Sequence, residues 1–325
     1  MIARRALLGG AALLAACPAH AQKEPMVTQR HDVRFAGAGG VTLAGTLLLP
    51  ATSATQPVPG VVLIAGSGPT DRDGNNPLVP VRIDLLKQIA ELLAQAGIAS
   101  LRYDKRGIGQ STPRPTESFQ AQEIFFAWEN FIGDVQTAHA ELVKHKKIKP
   151  HATALLGHSE GGLLALAAMA ATAPQRRPYG LVLASTPGRP LSDIVRAQVG
   201  RSAPAFVPPT EKVMAAIRDT GHVPADMPAE LKLIFPAYGG PFLQKALAFD
   251  PAKTLAALEA PCLLLHGAAD PRVTRQQVES VFGNLAGRKR LEMLTDVGHE
   301  PLLKARPEQW RTAVAQFLEG ACSSR

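Results

Sequence analysis

The chain has 325 residues, 46% of them hydrophobic, with no low-complexity tract; this excludes a disordered or fibrous protein and allows a large buried core. Its formal net charge is +8, much of it from Lys144-His145-Lys146-Lys147-Ile148-Lys149. That run has no interleaved aromatics and no second basic segment to accompany it, which argues against a nucleic acid partner. It follows an amphipathic stretch from about Glu129 and is expected at a helix C-terminus, where cations are favoured.

The start of the chain reads as a targeting segment. Arg4 and Arg5 precede an apolar stretch, Ala6 to Ala16, which is too short to span a bilayer, and Ala19-His20-Ala21 offers a cleavage site. Residues 1–21 are therefore expected to be a signal peptide, and the mature protein, with net charge +6 once Arg4 and Arg5 are gone, to be exported to a periplasm or beyond. Leu14-Ala15-Ala16-Cys17 resembles a bacterial lipobox, so lipidation of Cys17, with membrane anchoring, is the alternative; the Arg4-Arg5 pair also partly matches a twin-arginine signal. After simple cleavage Cys262 and Cys322 remain; they are read as unpaired thiols, with a structural disulfide in an oxidising compartment as the alternative.

Two β-like stretches, His31 to Phe35 and Val41 to Leu49, flank Gly37-Ala38-Gly39-Gly40, a hairpin signal. Val61 to Ala65 is apolar at every position, as in a strand buried on both faces of a parallel sheet. A helix is expected over Leu85 to Ala96, a strand over Ile98 to Tyr103, a helix over about Phe131 to Val143 and a strand over Ala152 to Leu156. Another helical run, Leu163 to Ala171, leads to the strand Leu181 to Ala184. Later come Cys262 to Gly267, a short strand Arg290 to Leu294 and a closing helix from Pro307 to Leu318. Alternating strands and helices predict an α/β fold, a mostly parallel central sheet with helices on both faces. Pro190 to Leu258 breaks the rhythm with helical pieces at Leu191 to Val199, Glu211 to Asp219 and Pro241 to Ala248. A structureless loop of that length is improbable, so 190–258 is expected to be an inserted helical cap on a core of 22–189 and 259–325.

Gly157-His158-Ser159-Glu160-Gly161 lies between the strand at Ala152 to Leu156 and the following helix. This is the G-x-S-x-G elbow, in which a strained turn presents a serine nucleophile and the glycines permit close backbone approach. Such a serine needs a base, and the base needs an orienting acid, in the chain order Ser, Asp/Glu, His. Asp270 follows the strand ending at Gly267 and His299 follows the last strand; of the 9 histidines only His299 comes after Asp270. Taken alone, Asp270 with Pro271 behind it could equally cap a helix, and His299 could be an ordinary loop residue. Taken with Ser159 they read as acid and base. His158, His222 and His266 are read as structural. The oxyanion donors are expected to be the backbone N–H groups of Glu160 and Ser67, the latter between Gly66 and Gly68.

Thr70-Asp71-Arg72-Asp73-Gly74-Asn75-Asn76 mimics the start of a calcium loop, but its twelfth position is Arg82 where a bidentate Glu would be needed. No metal and no cofactor is expected. The charged residues of this segment are instead expected to tie the oxyanion loop down through salt bridges with one another.

With these motifs assembled, the chain resembles an α/β-hydrolase. The resemblance rests on Gly157 to Gly161, on HGAADPRV around Asp270, on DVGH ending at His299, and on Arg102 to Ser111, similar to an R-Y-D-x-R-G-x-G-x-S loop that buttresses the site in that superfamily. Gly66 to Gly74 and the Phe249-Asp250-Pro251-Ala252-Lys253 segment resemble a subgroup of bacterial carboxylesterases, a serine aminopeptidase-like group. Ala65-Gly66 stands where many of those relatives have His-Gly, so the loop needs another support. The resemblance implies a serine hydrolase acting on a small-molecule ester, with Phe235, Tyr238 and Phe242 either shaping an acyl pocket or simply packing the cap. A peptidase or amidase is the alternative and would need an acidic group over the site, for which Glu211, Asp219, Asp226 and Glu230 are the cap's candidates. An acyl-CoA thioesterase fits poorly with export. A non-enzymatic envelope-binding protein is the remote reading and would be expected to have a broken triad.

Overall fold

A computed structural model describes residues 28–283, 288–299 and 306–323. The signal peptide expected at 1–21, with Cys17, lies outside them. At the centre is an 8-stranded sheet of order β1-β2-β4-β3-β5-β6-β7-β8. Its strands are β1 Gln29–Ala36, β2 Thr42–Leu49, β3 Val58–Ile64, β4 Ala99–Tyr103, β5 Ile148–His158, β6 Gly180–Ala184, β7 Cys262–Gly267 and β8 Lys289–Leu294. β1 and β2 form the antiparallel hairpin that the glycines at 37–40 announce, β2 runs antiparallel to β4, and all later pairings are parallel.

Alternate residues of the central strands supply two separate cores, because successive side chains point to opposite faces. In β3, Val62 and Ile64 join one core while Val61 and Leu63 join the other. In β7 the same division separates Cys262 and Leu264 from Leu263 and Leu265. The first core is closed by α3 (Trp128–Lys144) and α4 (Glu160–Ala171), the second by α1 (Leu85–Gln95) and the C-terminal helix α10 (Pro307–Ser323). Each leucine fully buried here, Leu63 or Leu93 for example, stabilises the fold by about 1.5–3 kcal/mol. α4 is apolar on nearly every side because it is buried on nearly every side, from Gly161 to Met169.

Between β6 and β7 the chain leaves the sheet for α5 (Leu191–Ser202), α6 (Val207–Thr220), α7 (Gly240–Ala248) and the short α8 (Pro251–Ala256). α5, α6 and α7 share a core of their own that includes Val199, Val213, Ile217, Phe235 and Leu247. Two further helices have weak periodic signals: α2 (Phe119–Phe125), capped by Ser118, and α9 (Arg275–Gly283). The basic run sits as expected on charge grounds, with Lys144 in the last turn of α3 and the rest leading into β5, which begins at Ile148 rather than Ala152. Cys262 is buried, its thiol pushed up to about 12 by desolvation, and Cys322 is exposed; both are free thiols.

Candidate active site

Ser159 follows the C-terminal end of β5 and immediately precedes α4, with φ 53° and ψ −124°. A non-glycine residue in that region costs of order 1–3 kcal/mol and persists only where its surroundings enforce it. The surroundings here are glycines. A Cβ on Gly157 would collide with the Gly161 backbone, and one on Gly161 with the Ile64 and Ala65 carbonyls. The elbow is held from the sheet side by Ser159 N–H donating to Ala184 O (2.9 Å), while the Ser159 side chain makes no capping bond to α4.

Asp270 and His299 meet on loops that leave neighbouring parallel strands, β7 and β8. His299 Nδ1 lies 2.7 Å from Asp270 Oδ2, with both side chains almost fully buried. The other carboxylate oxygen, Oδ1, accepts N–H groups from Arg272 (2.8 Å) and Val273 (3.0 Å). Burial opposes ionisation of Asp270, but the hydrogen bond and charge of His299 and those two backbone N–H groups outweigh it and hold its pKa below the ordinary carboxylate value. The capping alternative for Asp270 does not hold, since α9 begins only at Arg275 and Asp270 caps a loop instead.

His158 is a positioning partner. Its Nε2 lies 3.0 Å from the carbonyl oxygen of His299, which can only accept, so Nε2 carries the proton. Burial pushes the His158 pKa to about 4, so the ring is neutral near pH 7. His266 is buried at the end of β7, and burial lowers its pKa as well. His222 has a defined structural contact, its Nδ1 lying 2.8 Å from Oε1 of the buried Glu123 and joining α2 to the α6–α7 connection.

Ser67 and Glu160, the expected oxyanion donors, line one cavity together with Ser159 and His299. Among the described residues neither backbone N–H has an acceptor. Glu160 opens α4, so its N–H also stands at the positive end of a helix. The support for the Gly66–Gly68 loop is Lys105, which occupies the variable position of the R-Y-D-x-R-G segment and which sequence reasoning missed. Its buried Nζ donates to Gly66 O and to Gly68 O (3.3 Å) and lies 3.7 Å from Glu160 Oε1. Desolvation lowers its pKa and the neighbouring Glu160 carboxylate partly restores it.

The ion pairs of the following loop correct the sequence expectation. They run to the Arg102–Ser111 segment rather than within the loop: Arg72 pairs with Asp104 (2.6 Å) and Asp73 with Arg102 (2.9 Å). Asp71 Oδ1 accepts the N–H groups of Asp73 and Asn75, so it shapes the turn. Gly109, at φ 54°, leaves the space that the Asp104 carboxylate occupies. Arg106 closes the series with two bonds to buried Asp134 (2.8 and 2.7 Å) and others to the carbonyls of Phe125 and Ala38.

The cavity, about 920 Å³, lies between the C-terminal ends of the strands and α5–α7. Phe235, Tyr238 and Phe242 all line it, and Phe235 is also fully buried in the helical core, so pocket and packing are one role there. Phe126, Phe131, Ile194 and Val195 extend the apolar wall and carried no recognised sequence signal. The only carboxylate among the described lining residues is Glu160. Glu211 pairs with Arg196 and Asp219 with Arg218, while Asp226 and Glu230 are exposed elsewhere.

A model of the alpha/beta hydrolase family matches residues 61–315. The chain belongs to that family. Esterase EstD of Thermotoga maritima is 28% identical over 263 residues, 79% of this chain and 57% of the relative, so this alpha/beta hydrolase spans little more than half of that protein's length. Among solved structures, the alpha/beta hydrolase GrgF from Penicillium sp. sh18 superposes with a TM-score of 0.63 at 21% identity, covering 90% of this chain and 99% of GrgF. The Pyrococcus furiosus esterase Pf2001 gives 0.61 at 18% identity, covering 91% of each chain. Both likenesses bear on the alpha/beta hydrolase fold.

Proposed function

We propose that this alpha/beta hydrolase cleaves carboxylic esters through an acyl-enzyme on Ser159. The observation that carries the reading is the buried His299–Asp270 contact of 2.7 Å, with His299 and the strained Ser159 elbow lining one cavity. His299 Nδ1–H donates to Asp270, which leaves Nε2 to take the serine proton and return it to the leaving alcohol. Asp270, held ionised by its partners, stabilises the imidazolium that forms. The N–H groups of Ser67 and Glu160 receive the oxyanion, each worth about 3 kcal/mol of transition-state stabilisation. Water then attacks the acyl group with His299 again as base.

The similarity to EstD supports esters as the substrate class, and the Gly66–Gly74 loop supports the carboxylesterase subgroup. The cavity disfavours the aminopeptidase alternative, because Glu211, Asp219, Asp226 and Glu230 are all absent from its described lining. In this reading 190–258 is a cap set into a core of 22–189 and 259–325, and the leader delivers the enzyme outside the cytoplasm. The test is turnover of a p-nitrophenyl ester by Ser159→Ala. Activity lost with the fold retained is expected; substantial residual turnover would refute the assignment.

A further inference from the structure

The cavity above Ser159 has a marked charge imbalance. Among the described residues its lining holds five cationic side chains, Lys105, Arg106, Arg114, Lys232 and Arg272, against the single carboxylate of Glu160. Three of these have other work. Lys105 holds the Gly66–Gly68 loop, Arg106 is bonded to Asp134, and Arg272 has partners of its own. Arg114 and Lys232 differ: both are exposed, and among the described residues no carboxylate pairs with either. Arg114 is placed against the cavity wall, its guanidinium carbon 6.0 Å from the Tyr238 ring centre.

Exposure orders the cavity from mouth to floor. Leu78 and Leu233, at 67% and 82% exposed, mark the mouth along with Arg114 and Lys232, whereas His299 at 5% marks the floor. Between them the wall is built from apolar groups such as Phe126, Phe131, Ile194 and Phe242. A cleft with low-dielectric walls and charge of one sign concentrates the opposite charge.

We infer that the preferred substrate is an ester carrying a carboxylate at the end remote from the scissile bond. The ester carbonyl lies at Ser159, an apolar spacer follows the aromatic wall, and the carboxylate meets Arg114 and Lys232 at the mouth. The inference rests on the esterase reading and narrows it. The carboxylate can belong to the acyl or to the alcohol part, since both leave the reacting carbon through the same cavity.

Two substrate pairs test it. The p-nitrophenyl monoester of suberic acid is compared with p-nitrophenyl octanoate, and 4-(octanoyloxy)benzoate with phenyl octanoate. The readout is the ratio of kcat/KM for the anionic over the neutral ester, which cancels any general loss of active enzyme. The expected ratio exceeds one in at least one pair, falls about fivefold with Arg114→Gln and again with Lys232→Gln, and shrinks as salt is raised. A ratio at or below one in both pairs, or a preference that survives the double substitution, overturns the inference while leaving the esterase reading in place. Failure of the wild type to turn over any of the four esters removes both.

Discussion

The Lys105 ammonium lies 3.7 Å from the Glu160 carboxylate, and the same nitrogen donates to the carbonyl oxygens of Gly66 and Gly68. One buried cation thereby links the two backbone segments that would supply the oxyanion donors. Losing a donor outright lowers kcat by about 10²–10³-fold in serine hydrolases, so loosening both segments should cost a good part of that. Lys105→Met is predicted to lower kcat by about tenfold or more with little change in KM and an unchanged circular dichroism spectrum. Wild-type kcat in this variant would reduce Lys105 to packing.

Asp270→Asn separates orientation from charge. The amide keeps the shape of the carboxylate but does not enforce the Nδ1–H tautomer of His299. A fall in kcat of about 10⁴ is predicted, by analogy with the same change in other serine hydrolases, with a nearly unaltered KM. The check is steady-state kinetics on an aryl ester together with thermal unfolding. A loss below tenfold would mean that His299 does not depend on Asp270.

His158 gives a pH prediction with a definite sign. Its folded pKa is lowered to about 4 by burial, from an unfolded value near 6.5. Between those values the unfolded chain binds a proton that the folded chain does not, so stability falls as pH falls through this window. The contribution is complete above about pH 6.5 and is lost progressively toward pH 4, at up to about 1.4 kcal/mol per pH unit. His158→Gln keeps an N–H for the His299 carbonyl and should lessen the slope of the urea-stability profile between pH 7 and 5, the remaining slope coming from His139, which burial also lowers to about 4. A variant profile parallel to the wild type would count against a buried neutral ring.

Arg106 and Asp134 form a pair in which each side chain is 1% exposed. Desolvation raises the Asp134 pKa, and Arg106 only partly opposes it. Removing one member leaves the other charge uncompensated, which costs about 3–5 kcal/mol. Arg106→Leu should therefore destabilise by that amount in urea unfolding at pH 7. Arg106→Leu combined with Asp134→Leu should recover part of it. Equal stability of the single variant and the wild type would contradict the pairing.

The central sheet was readable because its strands are buried on both faces: Val61 to Ala65 and Cys262 to Leu265 are apolar at every position, a pattern with few alternatives. The elbow was readable because Gly157 and Gly161 are required by collisions that any side chain would cause. α2 and α8 were hidden by their shortness, since seven and six residues hold too few turns for a periodic signal. The local cue for α8 was present, however: Asp250 accepts from Lys253 N–H, and Pro251 stands at the first helical position. Lys105 was illegible for a different reason. A lysine beside a strand end reads as a solvated charge, and only the tertiary fold shows that it lies under the Gly66–Gly68 carbonyls. The partners of Arg72 and Asp73 are not legible in the sequence, because proximity favours neighbours within the loop, whereas the fold brings up Asp104 and Arg102.

The most direct measurement is covalent labelling with a fluorophosphonate, followed by mass-spectrometric mapping of the modified residue. If His299, which lines the same cavity, activates Ser159, one equivalent should be taken up at Ser159 as ester turnover is lost. Ser159→Ala should take up none. Modification at another residue, or ester turnover that persists after Ser159 is fully labelled, would contradict a nucleophilic Ser159.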